Sequence, residues 1–289
     1  MAILFKIMRN GSDFSATADG GPSFFVGRRV PYEGNIGLYN IFAGSKLQKL
    51  NFVAADFAPT LGFWADFIEP TALCEGRNFL TLNTYDTAAF TFGFGQFAAH
   101  VADGDFVKYF RRILGLPEAS AYFPHLAVVG GRICSTDPVL KPLEDKDSTA
   151  PLMRYLNPDL TEVQDAEVIA AAKFIHWTSA SVAARQAQVE EMVAAFKAFM
   201  LRADLRVGID GRGAEQCCVI ADILHHGRGG KNTTWPLIAE ALVSPKPFEA
   251  LIAIGAPKWN ERKETLRKAI NNRPVFSTLK WSRARGDFV

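Results

Sequence analysis

The chain has 289 residues, 48% of them hydrophobic and 21% charged, with a formal net charge of +2. That composition excludes a disordered chain, and so small a charge gives no electrostatic reason for nucleic-acid binding. No run approaches the ~18 apolar residues of a membrane span, so no spanning helix is expected.

Residues 1–45 hold short apolar runs, such as Ala2-Ile3-Leu4-Phe5 and Ser23-Phe24-Phe25-Val26, between Gly and Pro. This predicts an irregular or β-rich segment ahead of a main domain at 46–289. The opening run MAILFKIMR is too short, and too soon broken by charge, for a secretory leader, so synthesis in the cytoplasm is expected. From Lys46 the pattern becomes helical. Phe63, Trp64, Phe67 and Ile68 recur on one helix stripe, Pro70 should kink or restart that helix, and Gly76 suits its C-terminal turn. Leu80 to Phe97 changes to period two, with a turn near Asp86-Thr87, and predicts a β-hairpin. Phe106, Tyr109, Phe110 and Ile113 mark another helix, and residues 114–160 read as loops with short elements. Glu162 to Asp204 is the strongest helical run, as two helices or one long bent one. Further helices are predicted at 214–226, 235–243, 247–254 and 259–271, and more strand at Leu205 to Ile209. The predicted fold class is α+β and mainly α-helical.

The cysteines are Cys74, Cys134, Cys217 and Cys218. None lies in a CxxC pair, so no metal site and no cofactor is expected, and free buried thiols are. Chemistry concentrates instead between Cys74 and Gln96. Glu75 falls at a helix end, where the negative pole of the macrodipole disfavours a carboxylate, and Phe79 with the apolar helix stripe would add desolvation. A carboxyl held protonated in this way can act as a general acid. Asp86 follows at the hairpin turn. By strand alternation Phe90, Phe92 and Phe94 share the core face, and Thr91, Gly93 and Gly95 share the other. One hydroxyl and two glycines leave room for a sugar ring against the backbone, or for tight packing against a helix.

The string Glu75-Gly76, Thr84-Tyr85-Asp86-Thr87, Phe90-Thr91-Phe92-Gly93-Phe94-Gly95-Gln96 resembles the active-site segment of the lysozyme superfamily. It is similar to that of phage-type lysozymes, and its five-residue Asp-to-Thr step resembles bacterial chitosanases. The resemblance covers about 25 residues, Leu73 to Gln96. It implies a lysozyme-like two-lobed fold with a small hairpin at the cleft, and an inverting glycoside hydrolase of a β-1,4-linked amino-sugar polymer, peptidoglycan first. Glu75 would be the general acid, Asp86 would activate or position the attacking water, and Thr91 would hold it. Tyr85, Gly93, Gly95, Gln96 and His225 would contact substrate. Gln96 stands where phage-type enzymes often have histidine, as in the transglycosylase and chitosanase branches. The alternatives are therefore a chitosanase, a lytic transglycosylase and a catalytically silent glycan-binding or phage structural module. A monomer is expected, with delivery to the cell wall by a phage or a secretion system. Glu69 is a rival acid, but no Gly-rich strand follows it at the matching distance.

Overall fold

The computed structural model describes residues 1–41, 44 and 46–289. Helix outweighs strand, about 46% against 17% of residues, which makes the fold α+β as expected. In chain order the elements open with β1 (Phe5–Asn10), β2 (Asp13–Ala18), β3 (Phe24–Tyr32) and β4 (Asn35–Tyr39). Helices α1 (Ala54–Leu61) and α2 (Phe63–Cys74) follow, then β5 (Leu82–Asn83), β6 (Thr91–Phe92) and β7 (Phe97–Ala98). Next come α3 (Asp105–Leu114), α4 (Ala119–Tyr122), β8 (Leu126–Val129), β9 (Arg132–Ser135), β10 (Lys141–Pro142) and α5 (Ala150–Leu156). The remainder is α6 (Asp165–Ala180), α7 (Val182–Val207), α8 (Ala214–His226), α9 (Thr234–Leu242), α10 (Pro247–Ala253), α11 (Asn260–Asn271), β11 (Trp281–Ser282) and β12 (Asp287–Phe288).

The chain divides into two compact units, Met1–Asn51 with Asn78–Glu191, and Phe52–Arg77 with Met192–Val289. The boundary expected at 45 and 46 is not where the chain divides. Residue 45 lies outside the described residues, and both sides of that point belong to the first unit. The segment before it forms β1 to β4, the first strands of a seven-stranded sheet among the described residues, in the order β1 to β7. Its β-rich character is as predicted, but hydrogen bonding to β5 makes it part of a larger sheet.

Burial follows the pattern of the strands. Phe14 and Ala16 of β2 and Val26 of β3 point inward, while the outer residues of β1 stay exposed. Asn40 is fully buried and stitches the sheet with its side chain: its amide donates to Val26 O and Leu80 O, and its carbonyl accepts from Leu82 N. Phe174 of α6 lies at the centre of an aromatic core, with the rings of Phe90, Phe92, Phe106, Phe110 and Phe123 within 4.9–5.7 Å. The three phenylalanines predicted to share the core face, Phe90, Phe92 and Phe94, are all fully buried.

In the second unit α2 packs against α1, α8 and α11. Phe63, Phe67, Phe276 and Phe288 form the apolar centre around Trp64, whose indole N–H donates to Asp287 at 2.9 Å. Pro70 sits inside α2 without ending it. The long helical run is two helices that part at Ser181, whose hydroxyl caps α7 by accepting from Ala184 N. The strand expected over Leu205 to Ile209 is not formed. Helix α7 continues to Val207, and Asp204 accepts Ile209 N beyond the helix end. The four thiols are free; Cys134, Cys217 and Cys218 are buried and Cys74 is half-buried.

One buried acid gives the first unit a pH-dependent stability. Glu167 of α6 is fully buried, accepts a hydrogen bond from the Thr84 hydroxyl, and has no hydrogen-bond partner for Oε2 among the described residues. Burial pushes its carboxyl up to about 7. The folded form then binds a proton that the unfolded chain, with an ordinary carboxyl, gives up earlier. Its contribution is therefore complete below the ordinary carboxylate range and is lost as the pH rises through about 7. The difference is on the order of 3 kcal/mol. Glu167→Gln should flatten the urea-unfolding free energy between pH 5 and pH 8 relative to wild type. Parallel pH curves for the two proteins would refute this role.

Candidate functional site

Glu75 closes α2. Arg77 N donates to Ala72 O at 2.8 Å and Gly76 N to Leu73 O at 3.3 Å, with Gly76 at φ +83°. This is a Schellman end, and it needs the left-handed residue that glycine supplies. The turn fixes the direction in which the Glu75 side chain leaves the helix. Its surroundings differ from those expected. Phe79 belongs to the other unit. In its own unit Glu75 meets charge: Oε1 accepts from Arg262 Nη1 at 2.7 Å, and His225 Nε2 lies 3.7 Å away.

Arg262 is itself held. Its Nη2 donates to Asp222 Oδ1 at 2.7 Å and its Nε to Oδ2 at 3.3 Å, a two-point seat on a fully buried carboxylate of α8. Asp222 also pairs with Arg228 and accepts the Thr71 hydroxyl at 3.1 Å. Arg228 Nε in turn donates to Ile254 O. Burial alone would push the Asp222 carboxyl up. The two guanidiniums outweigh burial and hold it below its ordinary value. The result is a fixed chain of contacts, Arg228 to Asp222 to Arg262 to Glu75, within one unit.

Glu75 lines a pocket of about 450 Å³ together with Leu73, Cys74, His226, Lys258, Trp259, Glu261, Arg262 and Thr265. Arg262 occupies Oε1, and among the described residues Oε2 has no hydrogen-bond partner. Trp259 gives the pocket an aromatic wall, with the His226 ring edge-on at 4.5 Å and Lys258 Nζ 4.8 Å from the indole centroid. Burial, followed by the charge of Arg262, holds the His226 imidazole below its ordinary value. Helix α8 ends at His226, as the helix predicted at 214–226 requires, and Gly227 takes the left-handed position after it.

The rival Glu69 is structural. It is buried, accepts Ala54 N and pairs with Arg273.

The remaining predicted residues lie in the first unit. Asp86 is half-buried at a turn, and Oδ1 accepts Ala88 N at 2.9 Å. Tyr85 packs between Tyr32 and Tyr39. Thr91 is buried in β6, opposite Asn83 and Ala98. Gln96 donates to the Thr81 hydroxyl at 2.9 Å and to Gly93 O at 3.3 Å. The structure thus brings Glu75 together with His225 and gathers Tyr85, Asp86, Thr91, Gly93, Gly95 and Gln96 in the other unit.

The open glycine face is corrected. Gly93 has φ +90°, and a Cβ there would run into the Gln188 carboxamide, whose Cδ lies 2.9 Å from that position. Gln188 of α7 is fully buried; it accepts Phe94 N and donates to Phe79 O. Of the two readings of that face, packing against a helix describes Gly93, and Gly95 is buried too. Gly93→Ala should therefore destabilise the protein by roughly 2–4 kcal/mol, from left-handed strain and overpacking together. Urea unfolding checks this, and an unchanged midpoint would mean that Gln188 yields freely.

Asp222, Trp259 and Arg262 were not singled out from sequence. Asp222 left one local sign, a lone acid inside the apolar run Cys217 to Leu224. Arg262 left none, since it lies 187 positions from Glu75. No family model, no curated protein and no solved structure matches this chain.

Proposed function

We propose that the chain is a glycoside hydrolase acting on a β-1,4-linked amino-sugar polymer, with Glu75 as the general acid. The observation that carries the reading is the placement of Glu75: a carboxyl directed by a Schellman turn, anchored through Arg262 on one oxygen, and lining a pocket with an aromatic wall. An aromatic ring beside a positioned carboxyl suits a pyranose, which offers C–H groups to the ring and oxygens to the acid.

In the proposed reaction Glu75 delivers a proton to the glycosidic oxygen as the C1–O bond breaks, and water adds to C1. Asp86 and Thr91, which the resemblance implies for the attacking water, belong to the first unit, so the reading rests on Glu75 and the water's proton passes to solvent. The buried Asp222 supports Glu75 only through Arg262.

The test is digestion of purified peptidoglycan and of soluble chitosan, with product masses. Hydrated reducing ends from either polymer support the reading. Anhydro ends would move the protein to the lytic transglycosylases, and intact polymer in both digests would sink it.

A further inference from the structure

Helix α6 carries a lysine in an otherwise apolar stripe. Ala166, Ile169, Ala170 and Lys173 fall three or four residues apart and share one face of the helix. With Phe123 and Tyr155 they line a cavity of about 200 Å³, which shares no lining residue with the pocket of Glu75. All of these residues belong to the first unit. Tyr155 comes from α5, which packs on α6, and Phe123 follows α4. Phe123 is a fixed wall: it is fully buried, with its ring 5.0 Å from that of Phe110 and 5.3 Å from that of Phe174.

No anion neutralises this lysine among the described residues. Lys173 Nζ lies 5.0 Å from the centroid of the Phe123 ring and has no ion-pair partner among them. The acids at the start of its own helix are engaged elsewhere, Asp165 with Arg9 and Glu167 with the Thr84 hydroxyl. An ammonium drawn partly out of water, with an aromatic face but no carboxylate, loses hydration that nothing replaces in full. Burial accordingly holds the Lys173 amine below its ordinary value. The Tyr155 phenol also lacks a hydrogen-bond partner among the described residues. Burial pushes it up to about 12, so at neutral pH it keeps a proton to donate.

We propose that Lys173 is a nucleophilic amine that captures a small, uncharged aldehyde as an imine inside this cavity, with Tyr155 as the proton donor. The walls choose the ligand. They offer alkyl and aromatic groups, and Lys173 is the one cation among the lining residues. A phosphate or carboxylate tail would find no second cation there, whereas a short apolar tail fits. In the step, the free amine adds to the carbonyl carbon, the C–N bond forms, and the carbonyl oxygen takes a proton from the nitrogen. Tyr155 then protonates the resulting hydroxyl. The C–O bond breaks, water leaves, and the nitrogen lone pair closes the C=N bond. The phenolate recovers a proton from the iminium nitrogen, so amine and aldehyde have become imine and water. The inference stands apart from the glycan reading and does not depend on it.

The test is reductive trapping. The full chain is mixed with butanal at neutral pH, reduced with cyanoborohydride and digested, and each lysine peptide is read by mass. Lys173 should take up the butyl group about tenfold faster than the mean of the other lysines, through its larger share of free amine. Ala166→Leu, at an exposed position of the cavity wall, should bring Lys173 down to that mean and leave the other lysines unchanged. Tyr155→Phe keeps the ring and should slow trapping at Lys173 by about tenfold or more, as loss of a positioned acid does. A pyrene aldehyde, too large for the cavity, should show no preference for Lys173. Labelling of Lys173 no faster than the other lysines, undiminished labelling in Ala166→Leu, or equal preference for the two aldehydes would overturn the proposal. An unchanged rate in Tyr155→Phe would overturn the assignment of the proton donor.

Discussion

Glu75→Gln is expected to fold as wild type does and to lose glycan cleavage by about 10²- to 10⁴-fold, the usual worth of a positioned general acid. Glutamine keeps the shape of the side chain and an oxygen that can still accept from Arg262 Nη1. The seat on Asp222 is untouched, because Asp222 binds other nitrogens of the same guanidinium. What is lost is the titratable carboxyl and, with it, the charge paired with Arg262. Release of reducing ends from chitosan or peptidoglycan measures the effect, with thermal unfolding as the control for folding. Full turnover in a normally folded Glu75→Gln protein would sink the proposed role. Arg262→Ala would be a poorer test, because it strips Glu75 and Asp222 of a partner at once.

Asp222→Ala should be the most destabilising single change in the second unit, by about 3–5 kcal/mol. The reason lies in what remains. Arg228 and Arg262 both point at this carboxylate, and the Arg228 side chain is fully buried. Removing the anion leaves two guanidiniums facing each other with little access to water. The Thr71 hydroxyl loses its acceptor in the same step. The stability of the pair itself is a different quantity, and a well-packed apolar replacement of all the charges together could be nearly neutral. Asp222→Asn keeps the shape and one acceptor oxygen, so it should fall between wild type and alanine. Urea unfolding of the three proteins gives the order. A loss below about 1 kcal/mol for alanine would mean that water reaches the two arginines, since exposed pairs contribute no more than that. Activity should fall along with stability, because Arg262 without its seat no longer fixes Glu75.

Helices with a sustained apolar stripe were legible from sequence. The prediction at 214–226 coincides with α8, and the predicted helices after it lie within a residue or so of α9, α10 and α11. The β-rich N-terminus was legible as well, because alternation and turn residues are local signals. What was not legible depended on distance along the chain. The predicted hairpin is three two-residue strands at the end of a larger sheet. Positive φ at Gly93 and Gln96 cuts the strands short there, and Gly93 packs against Gln188, far along the chain. At Leu205 to Ile209 the β-branched residues suggested strand, but continuing an established helix costs less than starting a new element. At the candidate site Glu75 could be picked out, since a helix end and a following glycine mark it. Its anchoring by Asp222 and Arg262 could not, since no local pattern links positions so far apart.

The four native thiols also decide what can be attached to this protein. Burial pushes the Cys74 thiol up to about 12 and holds those of Cys217 and Cys218 higher still. Cys134 is shut away from solvent. Alkylating reagents need a thiolate they can reach, so at neutral pH the folded chain offers them almost nothing. A single cysteine introduced at exposed Thr87, on the turn beside Asp86, would then be the one reactive handle on the molecule. A dye placed there could report a passing sugar directly, with every native sulfur left in place.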